Sequence, residues 1–126
     1  MKLKHYLTFL MFLILLMAVP CGAAAENYST LRHEYQLLIQ SSQLQRQRQN
    51  WEKLILKFDY FTVKQPRDKN IEKGYFLLAR TWDGLSKASG SRIDAKEAIN
   101  HYLDLVDRFP HTVSYTHLTL PTICSV

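Results

Sequence analysis

Cysteine is scarce in this chain of 126 residues: there are two, Cys21 and Cys124, and neither falls in the stretch that reads as a folded domain. That excludes a disulfide framework and thiol chemistry from the domain, although an exported compartment would permit a disulfide. Glycine is also sparse, at four residues. No Gly-rich phosphate loop, nucleotide fingerprint or G-x-S-x-G nucleophile turn occurs. His33, His101 and His111 have no partner at i,i+4 spacing and no cysteine beside them, so they form no metal-ligand pattern. The carboxylates stand singly or in solvated pairs such as Asp104 and Asp107 beside Arg108, with no pocket that would shift their pKa values. The sequence therefore predicts no catalytic, cofactor-binding or metal site of its own.

Long hydrophobic runs are missing too. The one apolar run, Tyr6 to Val19, is shorter than the roughly 20 residues a membrane span needs. Lys2 and Lys4 precede it and Ala23-Ala24-Ala25 follows it, which is the anatomy of a secretory signal peptide over 1–25. Cleavage after Ala25 is the favoured reading, with an uncleaved anchor or a lipidated Cys21 as alternatives. An exported protein of the periplasm or cell envelope is expected, meeting the membrane only during export.

The net charge is +5, and removal of Lys2 and Lys4 with the signal leaves a mildly basic, mixed surface that calls for no acidic partner. The Arg46/Arg48 pair reads as a solvated helix face. No basic patch with interleaved aromatics accompanies it, so nucleic acid is not an expected partner.

Between these ends the chain reads as helix throughout, with no strands. Leu31, Tyr35 and Leu38 mark a first helix capped by Ser29 or Thr30 and interrupted at Ser41-Ser42-Gln43. A long second helix is predicted from Gln43 to Val63, closed by a turn at Gln65 to Asp68. Asp68 or Asn70 caps a third helix, in which Ile71, Tyr75, Leu78, Trp82 and Leu85 recur at 4,3,4,3 spacing. Gly74 and Ala79 would let a neighbour approach it closely. Lys87 to Arg92 is the next loop, with Gly90 suited to a left-handed conformation.

The stretch Asp94 to Pro110 is then a helix with Ala98, Ile99, Tyr102, Leu103, Val106 and Phe109 on one broad face. Asp94 and Glu97 have the capping-box pattern and Pro110 stops it. Trp51 to Pro66 repeats this plan at an offset of 44 residues: Leu54, Ile55, Phe58 and Phe61 match Ala98, Ile99, Tyr102 and Leu105. Such self-similarity predicts an all-α array of helical hairpins, about four helices in all. Most aromatics lie on apolar stripes and belong to the core. Tyr60 and Phe76 fall off the stripes, and Leu105 is rotated from the centre of the last one. These three form the candidate interaction surface, for self-association or for docking a helix.

The stretches YFLLARTWDGL and EAINHYLDLVDRFP resemble the two helices of a tetratricopeptide-like hairpin. The departures are an insertion at Ser86 to Ile93 and Gln65 where the second unit has Phe109. More narrowly, a signal peptide, a Tyr-rich helix, a basic segment and the pattern N-W-x-x-x-I-x-x-F at Asn50, Trp51, Ile55 and Phe58 resemble the N-terminal region of exported N-acetylmuramoyl-L-alanine amidases, over about Tyr28 to Pro110. That resemblance implies a non-catalytic module that positions or regulates a zinc-dependent domain lying further along the chain. Zinc is expected only there, since the family's ligands have no counterparts among these residues. The expected partner is that domain or another protein, with peptidoglycan as a further ligand. A non-catalytic periplasmic scaffold of envelope assembly or division is the alternative.

Val113 to Thr122, VSYTHLTLPT, resembles something else: the translated transposon-end adapter of shotgun sequencing libraries. On that reading residues 112–126 are a non-native tail and the natural sequence breaks off near His111. The competing reading is a β-prone tail with Tyr115, Leu118 and Leu120 on one face.

Overall fold

A computed structural model describes residues 2–17 and 26–111. The expected cleavage site after Ala25 and the tail from 112 onward lie outside the described residues. Six helices occur among those described: α1 (Lys2–Met17), α2 (Tyr28–Gln40), α3 (Ser42–Gln45), α4 (Arg48–Lys64), α5 (Ile71–Ser89) and α6 (Arg92–Arg108). The described residues are all-α, as expected, and no described helix is long and apolar enough to cross a membrane. α1 follows the apolar run and exposes Leu3, Leu7, Phe9, Met11 and Phe12.

From α2 onward the main helices α2, α4, α5 and α6 run alternately up and down. Tyr28 meets Phe61 while Glu34 meets Lys57, so α2 and α4 are antiparallel. Gly74 lies over Phe61 and Gly84 over Trp51, which makes α4 and α5 antiparallel. Tyr75 meets Phe109 and Ser89 meets Asp94, which does the same for α5 and α6. Two hairpins result, α2–α4 and α5–α6, with α5 packed between α4 and α6. The core joins Leu31, Tyr35 and Leu38 to Trp51, Leu54, Ile55, Phe58 and Phe61, and these to Leu77, Leu78 and Leu85. α6 adds Ala95, Ala98, Tyr102 and Leu105.

Several expectations need correction. The predicted continuous helix Gln43–Val63 is broken. Ser41 caps a single turn, α3, by accepting from the Leu44 amide at 3.3 Å, and Gln47 then turns extended (φ −96°, ψ 109°). Side chains of α4 satisfy the carbonyls left at the end of α3: the Trp51 indole donates to the Gln45 carbonyl at 2.9 Å and the Asn50 amide to that of Leu44 at 3.0 Å. The polar segment LQRQRQN offers no apolar stripe that would hold a straight helix through this point.

The caps also differ. Asn27, not Ser29 or Thr30, opens α2 by accepting from the Thr30 amide at 2.9 Å. Ser91, not Asp94, opens α6 by accepting from the Asp94 amide at 3.4 Å.

Finally, the buried face of α6 is Asp94, Ala95, Ala98, Tyr102 and Leu105, so the helix is rotated from the predicted stripe and turns Leu103 and Val106 outward. The cause is the close approach of α5, which small residues on α6 permit and larger ones would block. On α5 the seam is wider than predicted, because it is covered on two sides. Thr81 and Ser86 are buried there, each hydroxyl donating to a carbonyl of the preceding turn, at 2.6 and 2.7 Å. Gly90 does take the left-handed conformation (φ 67°), but the predicted loop Lys87–Arg92 shrinks to Gly90 and Ser91, since Lys87, Ala88 and Ser89 belong to α5 and Arg92 to α6.

Candidate interaction surface

The second helices of the two hairpins, α4 and α6, coincide in every boundary at an offset of 44 residues. Gln47 and Ser91 precede them with extended backbone, at ψ 109° and 128°. Gln65 and Phe109 close them at φ −125°, ψ 54° and φ −128°, ψ 63°, their amides donating to Phe61 and Leu105. Trp51, Leu54, Phe58 and Phe61 are buried, and so are their counterparts Ala95, Ala98, Tyr102 and Leu105.

That register removes Leu105 from the candidate surface. It is 0 % exposed, the counterpart of the buried Phe61. The outward residues of α6 are instead Leu103 at 57 % and Val106 at 53 %, which with Asp104, Asp107 and Pro110 line a shallow groove. Tyr60 is exposed on α4 between Leu56 and Val63, with the Lys64 ammonium 5.9 Å from its ring centre. Phe76 is half-buried against the core, with the Arg80 guanidinium 6.0 Å over its ring. Both aromatics are thus paired with a base one turn on, and they sit on different helices from the α6 groove. A second apolar depression lies where Leu37 of α2 and Leu44 of α3 face Leu54, rimmed by Glu34, Asn50 and Lys53.

An ionic link between the hairpins was not legible in the sequence. Arg48, at the start of α4, donates through both terminal nitrogens to Asp94, at 2.8 and 2.9 Å, and through Nε to Glu52. Ser89 adds a hydroxyl to Asp94 at 2.7 Å. Asp94 is buried, and the guanidinium holds its carboxyl below the ordinary range, with Ser89 helping and burial opposing. Reading Arg48 as solvated missed its reach across the array. The available signal was its position: first in α4, with an acid in the first turn of the helix one repeat later.

Two further polar groups line the contacts of α5. Tyr35, Arg80, Asp83 and Tyr102 gather where α2, α5 and α6 approach. Burial raises the Tyr102 phenol, and contact with Tyr35 favours the charged form of Arg80. On α6, His101 stacks on Trp82 with ring centres 5.8 Å apart and an interplanar angle of 14°. Its field partly offsets the rise that burial imposes on Asp59. Each group joins elements that are already packed, and His33 and His111 are exposed and apart. Among the described residues no three His, Cys, Asp or Glu gather where they could hold a metal ion. No family model matches the chain, and neither a curated protein nor a solved structure matches it.

Proposed function

We propose that residues 26–111 form a tetratricopeptide-like interaction module, the non-catalytic N-terminal part of an exported peptidoglycan amidase, which it positions or regulates in the periplasm or cell envelope. The observation that carries this reading is the coincidence of α4 and α6 at an offset of 44 residues, since stacked hairpins of one plan present a continuous face to partners. The amidase part rests on the N-W-x-x-x-I-x-x-F pattern. Its Trp51, Ile55 and Phe58 are buried, so those residues serve to build the module rather than to touch substrate. Zinc and hydrolysis belong to a separate catalytic domain, and that domain or another protein is the partner.

Reading the native transcript past codon 111 tests the proposal. An in-frame zinc-amidase domain supports it. Further hairpins followed by a stop codon overturn it in favour of a periplasmic scaffold.

A further inference from the structure

The internal repeat contains a template for what the outer face of α6 accepts. On α4, the residues Arg48, Ile55, Asp59 and Thr62 meet the α5–α6 hairpin. Arg48 holds Asp94, Ile55 is buried, Asp59 faces His101, and Thr62 lies beside Gly74 and is 4 % exposed. Forty-four residues on, their counterparts are Arg92, Ile99, Leu103 and Val106, at i, i+7, i+11 and i+14 along one stripe of α6. Arg92, Leu103 and Val106 are exposed, and Arg92 makes no ion pair among the described residues.

We propose that this stripe is the acceptor for a further helical hairpin, seated on α6 as α5–α6 is seated on α4, with Arg92 as the receptor for a carboxylate in the first turn of that hairpin's second helix. The same template specifies a further contact of the occupant. Its first helix carries a small residue beside the exposed Val106, as Gly74 sits beside Thr62.

A second copy of the chain does not meet these requirements. Among the described residues, only its α2–α4 hairpin has a flank that no other hairpin covers. There Thr30 stands at the place of Gly74, and the neutral Asn50, already bonded to the Leu44 carbonyl, stands at the place of Asp94. The inference rests on the hairpin-array reading of the module and is independent of any amidase domain.

Inserting a duplicate of residues 68–111 directly after His111 of the full chain tests it, with urea unfolding followed by circular dichroism. The expected result is one cooperative transition with a higher midpoint and a steeper denaturant dependence than the parent chain. Arg92→Ala then lowers the midpoint of the extended chain and leaves the parent unmoved. Asp94→Asn in the duplicate causes no additional loss once Arg92 is gone. Two separate transitions, a midpoint at or below that of the parent, or an equal effect of Arg92→Ala in both chains overturns the proposal.

Discussion

The Asp94 carboxylate closes onto the Arg48 guanidinium through two parallel hydrogen bonds, 2.8 and 2.9 Å long, and so joins the first turns of α4 and α6. Removing either partner leaves the other short of its bonds, so Arg48→Ala and Asp94→Asn each lower the melting temperature, and the double variant loses less than the sum. The folded pKa of Asp94 lies below its unfolded value of about 3.9. Its contribution is therefore complete above that value and disappears as pH falls through the folded pKa. Acid titrations of stability, run with and without Arg48→Ala, should differ in that window and run parallel at neutral pH.

Gly84 faces the Trp51 ring, which occupies the space a Cβ would need. In an exposed helix Gly→Ala gains roughly 0.5–1 kcal/mol. Here overpacking dominates, and Gly84→Ala is expected to destabilise by about 1–3 kcal/mol in urea unfolding. On a Trp51→Phe background Gly84→Ala costs less than in the parent chain, because the smaller ring leaves room for the Cβ.

Capping of α6 distinguishes two sequence-compatible starts. With Ser91 as the cap, Ser91→Ala costs about 0.5–1 kcal/mol, near the low end because its bond to Asp94 is 3.4 Å long. Glu97→Ala is expected to change stability by less than about 0.5 kcal/mol, as for surface positions generally. The reverse order in thermal melts would restore Asp94 as the cap.

Leu105 and Leu103 separate packing from surface. Leu105 is fully buried, so Leu105→Ala costs about 2–5 kcal/mol and Leu105→Glu more, with loss of helical circular dichroism. Leu103→Glu leaves the dichroism unchanged and places a charge in the α6 groove.

Helix content, the hairpin turns and the 44-residue offset were legible, because periodicity, Pro66, Pro110 and Gly90 are local signals. The break at Gln47 was not, since it depends on Trp51 and Asn50 reaching back to carbonyls of α3. Nor was the face of α6. Ile99, Leu103 and Val106 make as regular a stripe as Ala95, Ala98, Tyr102 and Leu105. Only the close packing of α5 against the alanines decides between them, and that is a property of the neighbour. Arg48 is exposed, as read, but its bond to Asp94 was missed for a related reason: a lone arginine in a polar run has no local mark that it will reach a carboxylate in another hairpin.

The place of α5 determines where this architecture can change length. One residue inserted within α5 would rotate everything beyond it by about 100°, from 3.6 residues per turn, and would separate Gly74 and Gly84 from Phe61 and Trp51 together. The α5–α6 link is little freer, because Gly90 and Ser91 must bring Ser89 and Arg48 to the same carboxylate. The turn from Gln65 to Asn70 exposes Pro66, Arg67 and Lys69 and is held by Asp68 within itself and by one long bond, 3.4 Å, from Gln65 to the Glu26 carbonyl. Related chains that differ in length should carry their insertions there, with the spacing inside the second hairpin held fixed.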